Sequence, residues 1–170
     1  MRSFKTTLGT IVVVGGFCFL VPYFILMASP FRLPAGINLL QIFASLVAAC
    51  GLGMVVWVSV AFVRKGQGTP IPIEPPTRLV IHGLYRLVRN PMYVGAVLIL
   101  LGEALFFRSG WLLLYATGLW ATLHTFLVVF EEPQLRQRFG SDFEQYLISV
   151  PRWIPRIPAR GISIGDGLDE

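Results

Sequence analysis

Charge is scarce in this chain. Asp, Glu, Lys and Arg make up 14% of its 170 residues against 55% hydrophobic ones, and the mean hydropathy is +0.69. A soluble domain carries about 25% charged residues, because a small globule has much surface to solvate. The shortage therefore excludes a soluble enzyme and a disordered chain. Cysteine is equally scarce: Cys18 and Cys50 both fall inside apolar runs and read as small buried hydrophobes, which excludes a disulfide-stapled secreted domain. With two histidines in all, no ligand cluster is spaced for zinc. No run alternates with period two, so β structure is not competitive. Basic residues outnumber acidic ones 14 to 9, yet no Arg/Lys stripe with interleaved aromatics stands free of the apolar runs, so no nucleic-acid partner is expected.

What the chain has is long apolar runs. Four are visible, at about 8–27, 37–63, 92–107 and 111–130. A spanning helix needs ~20 residues to cross the hydrocarbon core. The first, second and fourth meet that length, while the third is short. Arg2 and Lys5 ahead of the first run resemble a signal peptide, but the run is longer than an ordinary h-region, contains Pro22 and offers only Met27-Ala28-Ser29 for cleavage. It reads as a first span. Alternating the spans puts twelve of the fourteen Lys and Arg residues on one side and leaves Arg32 and Arg108 on the other. The positive-inside rule then places both termini and the 64–90 loop in the cytoplasm. The expected fold is an all-α integral membrane protein with about four transmembrane helices and two short cytoplasmic helices near the C-terminus. Residues 1–160 form one membrane-embedded domain, and 161–170 read as a disordered tail.

The polar segments carry the chemistry. Asn90-Pro91 is a helix start, with a capping side chain followed by proline at the first helical position. The third span thus begins with free N–H groups and the positive end of its dipole, which favour an anion, and Arg89 adds a full charge. Arg89 either completes an anion site or snorkels to headgroup phosphates. At the end of the fourth span stands Glu131-Glu132-Pro133, two carboxylates where the helix dipole prefers cations. They either pair with Arg136 and Arg138 or serve a ligand. A short helix then closes at Gly140, and Ser141 with Glu144 makes a capping-box pattern opening another through Ile148.

Only Arg108-Ser109-Gly110 joins spans three and four, so the two form an antiparallel hairpin. Arg89 with the helix start, and the paired glutamates, then share one end. That constellation suits a small zwitterion bearing an additional positive charge, and S-adenosylmethionine is such a molecule. Two further polar residues lie in the spans. His124 reads as an interhelical hydrogen-bonding residue, with proton transfer as its alternative, because it lies two turns before Glu131 on the same face. Glu103 reads as partnered by His124 or Arg108.

The stretch from Gly83 through Tyr85, Arg89-Asn90-Pro91 and Tyr93 to Gly95 resembles the G-x-Y-x-x-x-R-[HN]-P-x-Y-x-G motif of the isoprenylcysteine carboxyl methyltransferase and phospholipid methyltransferase superfamily. Glu131-Glu132 through Leu135, Phe139-Gly140 and Tyr146 is similar to its second motif, E-E-x-x-L-x-x-x-F-G-x-x-Y-x-x-Y, and Val150-Pro151-Arg152 follows. The resemblance covers about residues 64–155. It implies that Tyr85, Arg89, Asn90, Tyr93 and Gly95 help bind S-adenosylmethionine, that Glu131 and Glu132 contact its polar groups, and that Tyr146 closes the site. Arg89 and Glu131 are the candidate catalytic residues. Asn90 departs from the histidine of eukaryotic members, and Phe143 from the first tyrosine of the late motif. The implied activity is S-adenosylmethionine-dependent methyl transfer to a lipophilic acceptor, either a carboxylate of the isoprenylcysteine type or a phospholipid amine, with the bilayer as the other partner. The alternative is a non-enzymatic membrane scaffold or transporter-like protein that keeps the fold. The small-residue pairs Gly15-Gly16 and Gly51-Leu52-Gly53 permit close helix packing within or between chains, so oligomeric state stays open.

Overall fold

The computed structural model describes residues 12–30, 36–65 and 83–156, and the regular structure among them is all helical. The start of the first expected span, most of the proline-rich loop and the 161–170 tail lie outside the described residues. The helices are α1 (Val12–Ala28), α2 (Leu39–Lys65), α3 (Pro91–Phe106), α4 (Gly110–Phe126) and α5 (Glu132–Ser149). The four apolar runs each form a helix. α2, and the continuous helix that α4 begins, are long and apolar enough to cross a membrane, whereas α1 and α3 are shorter.

Local chemistry sets the helix ends. Asn38 and Gln41 form a reciprocal cap on α2, a signal overlooked in the sequence. Asn38 Oδ1 accepts from the N–H groups of Leu40 at 3.0 Å and Gln41 at 3.3 Å, while Gln41 Oε1 accepts from the Asn38 N–H at 3.1 Å. The α3–α4 hairpin turns at Arg108, whose φ is 49°, and Ser109 Oγ caps α4 by accepting from the Leu112 N–H at 3.3 Å.

Two π turns interrupt the helices, at Gly16–Leu20 and Leu127–Glu131. In each, the residue after the turn bonds five back: Val21 N–H to Gly16 O, and Glu132 N–H to Leu127 O. In each, a proline follows at once, Pro22 and Pro133. A proline ring within a continuous helix has no N–H to donate and crowds the carbonyl four residues earlier. Widening the turn just ahead of the ring relieves both problems.

The tightest seam runs between antiparallel α2 and α3, built from Ala44, Ala48 and Gly51 against Gly95 and Gly102. A Cβ on Gly102 would lie 2.7 Å from the Ala48 Cβ, and one on Gly95 would lie 2.7 Å from the Gly51 carbonyl oxygen. Gly51 thus serves packing within the chain, while Gly53, Gly15 and Gly16 have open space around them. Three apolar clusters mark the bundle from end to end. Val58 and Met92 pack with Val14 and Tyr85 at one end; Cys18, Val55 and Ile99 follow; Leu26, Ala104 and Leu112 close the other. The start of α1, the end of α2 and the start of α3 therefore share an end. Cys50 departs from expectation: it is exposed on α2, whereas Cys18 is buried.

The outward faces are apolar. Phe43, Leu46, Val56, Leu113, Leu114, Val129 and Phe130 are each 50–65% exposed. In water so continuous a hydrophobic surface is a liability, whereas in hydrocarbon it is the solvated face.

Candidate functional site

The site forms where α3 begins and α4 passes into α5. Gly83 opens the approach with φ 58°, and the Trp57 ring occupies the space a Cβ would need, so only glycine fits. A 3₁₀ turn, Gly83–Arg86, follows, and Val88 is fully buried beneath it. The chain then enters α3 with Pro91 at its first position, as expected. Asn90, at φ −127° and ψ 64°, accepts the Val94 N–H through its carbonyl at 3.0 Å, but its side chain makes no cap. The expected capping role of the Asn90 amide is thus not seen.

The two glutamates meet different partners at the start of α3: Glu132 pairs with Arg89 and Glu131 with Tyr93. Arg89 Nη1 donates to Glu132 Oε1 at 3.0 Å, and the Tyr93 hydroxyl donates to Glu131 Oε2 at 3.2 Å. The π turn shapes this arrangement. It inserts one residue into the helix turn and shifts the downstream phase by ~100° relative to an unbroken α-helix. Glu131 and Glu132, adjacent in sequence, then address different groups of α3 and its entry. Because this slip lies between them, His124 and Glu131 are not in simple two-turn register. His124 Nδ1 instead accepts from Trp153 Nε1 at 3.2 Å, and its ring stacks on Trp120. That is a bond to the non-helical segment after α5, not the interhelical bond expected.

The counter-charges also differ from expectation. Arg136 pairs with Glu144 at 3.3 Å, which draws Glu144 from its expected capping box, and Arg138 lies over the Phe139 ring. Glu132 is held by Arg152 in a two-bond fork: Nε donates to Oε1 at 2.8 Å and Nη2 to Oε2 at 2.9 Å. Arg152, within Val150-Pro151-Arg152, is a site residue that no local signal in the sequence marks. Its segment is well tied: the Arg89 N–H donates to Pro151 O, and the Arg156 N–H to Leu87 O, each at 2.9 Å. The chain reaches it from α5, whose helical path breaks at Gly140 with φ 54°, where the sequence placed a boundary. Phe143, Tyr146 and Val150 form the buried face of α5, and the Tyr146 hydroxyl donates to Tyr85 O at 2.8 Å.

Arg89 and Arg152 thus share the one carboxylate of Glu132, while Glu131 stands next to it as a second carboxylate bonded to Tyr93. Burial works against the Arg89 charge and lowers its pKa, while the facing Glu132 carboxylate opposes that shift. Arg89 Nε is buried and has no hydrogen-bond partner among the described residues. Burial likewise pushes the Tyr85 phenol above its usual range, keeping it a neutral hydroxyl. An orphaned cationic donor on Arg89, and the Glu131 carboxylate held by Tyr93 at the same end of the bundle, are a donor set that fits the carboxylate and ammonium ends of an amino-acid-like ligand.

Tyr85, Arg89, Asn90, Tyr93, Glu131, Glu132 and Tyr146 thus gather at one end. Gly95 does not join them: it faces α2, in the seam against Gly51 and Val55. Glu103 lies farther along α3, and its Oε2 is buried without a partner among the described residues, in place of the expected pairing with His124 or Arg108. No group of three or more His, Cys, Asp or Glu side chains suited to a metal ion occurs among the described residues.

Among the described residues, an all-helical architecture with apolar outer faces and an ionic centre at one end has the character of a membrane protein with a polar site at one end of its bundle. The family follows from comparison: a model described as phospholipid methyltransferase matches residues 35–142, and the chain belongs to that family. It is similar to the protein-S-isoprenylcysteine O-methyltransferase of Schizosaccharomyces pombe, with 38% identity over 81 residues, 47% of this chain and 34% of that protein. The matched segment thus spans about a third of that relative's length. No solved structure gives a significant match.

Proposed function

We propose that the chain is a multi-pass integral-membrane methyltransferase that uses S-adenosylmethionine and acts on a lipophilic acceptor, with its termini and site at the cytoplasmic face. The observation that carries this reading is the contact of Arg89 with Glu132 and of Tyr93 with Glu131 at one end of an apolar bundle. The lopsided distribution of Lys and Arg supports the orientation, and the order of the apolar clusters supports four alternating spans.

S-adenosylmethionine, when bound, supplies an electrophilic methyl group on a sulfonium. The residues supply the rest. Arg89 Nε holds a carboxylate. Glu131, oriented by the Tyr93 hydroxyl, takes a cationic group. Asn90, whose amide is not committed to capping, offers further polar contacts. Tyr146 and Tyr85 hold α5 over the entry to α3 and exclude water. A carboxylate acceptor is already ionised at neutral pH and requires orientation only, whereas a phospholipid amine must first lose a proton. The family description names phospholipid and the relative's name isoprenylcysteine, and the two acceptors differ in this requirement.

The test is incubation of the detergent-solubilised protein with isotopically labelled S-adenosylmethionine, total membrane lipid and a prenylated cysteine peptide, followed by mass spectrometry. Label in a lipid headgroup or in the peptide ester is the expected result and identifies the acceptor. Label in neither, with donor binding intact, favours the scaffold alternative.

A further inference from the structure

The fork between Arg152 and Glu132 has a consequence for Arg89. Glu132 has two oxygens. Arg152 occupies both through Nε and Nη2, and Arg89 shares only Oε1, through Nη1. Left alone with Glu132, an arginine at this distance would form the two-bond pair that guanidinium and carboxylate geometry favours. Its charge would then be largely neutralised and its donors turned inward. In the structure Arg89 keeps one side-chain bond to Glu132, and its buried Nε has no partner among the described residues. The side chains are 14% exposed at Arg89, 12% at Glu132 and 27% at Arg152, so water does little to blur this competition.

Arg152 is also not a loose surface partner. The residue before it accepts the Arg89 backbone N–H, and the residue after it, Trp153, donates to His124 on α4. Its backbone is therefore fixed relative to Arg89 itself. We infer that Arg152 is a positioning residue: by occupying Glu132 it keeps the Nε edge of Arg89 free for an anionic group. Glu132 is then part of the positioning apparatus, and Glu131 is the carboxylate that faces the ligand. This rests on the reading of the site as a methyl-donor site, since the anion in question is the donor's carboxylate.

The competition has a signature that neither a direct contact nor a structural prop shares. S-adenosylhomocysteine binding is measured by calorimetry on the full chain in detergent, with thermal melting recorded for each variant. Arg152→Gln releases Glu132 to close on Arg89, and affinity falls by about ten-fold or more. Adding Glu132→Gln removes the carboxylate that would close, so the double variant recovers most of that loss. Unchanged affinity in Arg152→Gln overturns the inference, as does a double variant that binds no better than Arg152→Gln. Should Arg152→Gln not survive solubilisation, Arg152→Lys replaces it: one ammonium cannot fork both oxygens, so intermediate affinity is expected and wild-type affinity overturns the inference. Absence of binding by the wild-type chain is a different failure, that of the donor-site reading itself.

Discussion

The α2–α3 seam provides a paired test, Gly95→Ala against Gly53→Ala. The two glycines face different surroundings. A Cβ at Gly95 would come 2.7 Å from Gly51 O, 2.9 Å from Val55 Cγ2 and 3.2 Å from Met54 Cβ, whereas Gly53 has nothing within 4 Å. Carbon contacts become favourable at about 3.5 Å, so the methyl at position 95 is roughly half an ångström too close to several atoms at once. Two of its neighbours are backbone or Cβ, which cannot rotate away, so α3 must move. Overpacking of this kind costs about 1–3 kcal/mol. At Gly53 the same substitution only improves helix propensity, by up to about 1 kcal/mol. Titration of the detergent-folded protein with SDS, followed by tryptophan fluorescence, should show Gly95→Ala unfolding earlier than wild type and Gly53→Ala no earlier. Because Gly95 lies two residues after Tyr93 on α3, a shift of α3 in Gly95→Ala should also weaken S-adenosylhomocysteine binding. Equal unfolding midpoints for the two variants would refute the packing role assigned to Gly95.

Three further outcomes are expected. Glu132→Ala leaves two guanidinium groups facing each other and should cost about 2–4 kcal/mol, more than the roughly 1 kcal/mol of Arg152→Ala, which leaves Arg89 paired; SDS unfolding of both variants checks the order. Tyr146→Phe removes the donor to Tyr85 O in a buried setting and should cost about 1–3 kcal/mol by the same assay, with the aromatic packing retained. Pro133→Ala restores an N–H and lets the helix close as a regular α turn, which rotates Glu131 and Glu132 relative to α3. Its S-adenosylhomocysteine affinity should fall while far-ultraviolet circular dichroism stays unchanged.

The hydrophobic runs were legible because a lipid-facing helix needs apolar residues all round, and length alone then separates spans from loops. The Arg108-Ser109-Gly110 turn was legible for a related reason: three residues allow only an antiparallel return, and that brought Arg89 and the glutamates to one end. The π turns were not. Each depends on how a helix accommodates Pro22 or Pro133, and the choice between a kink and a widened turn lies in the surrounding packing. Without that phase slip, His124 and Glu131 looked like one face, and Arg136 and Arg138 looked like the nearest counter-charges. Arg152 was missed because its contact with Glu132 closes over twenty residues through the break at Gly140 and a segment with no periodicity to read. The seam at Gly95 was not legible, because a glycine inside a motif does not say whether a ligand or another helix approaches it. The Asn38/Gln41 cap, by contrast, was a local pattern available to inspection.

The central claim is that Arg89 and Glu131 hold the two ends of one methyl donor. Calorimetric titration of S-adenosylhomocysteine into the detergent-solubilised wild-type, Arg89→Gln and Glu131→Gln proteins tests it most directly. Each lost charge-assisted hydrogen bond is worth about 1.5–3 kcal/mol, so saturable wild-type binding that weakens roughly ten-fold or more in each variant, with both variants still melting cooperatively, is the expected result. No wild-type binding, or equal affinity in all three proteins, would contradict the account.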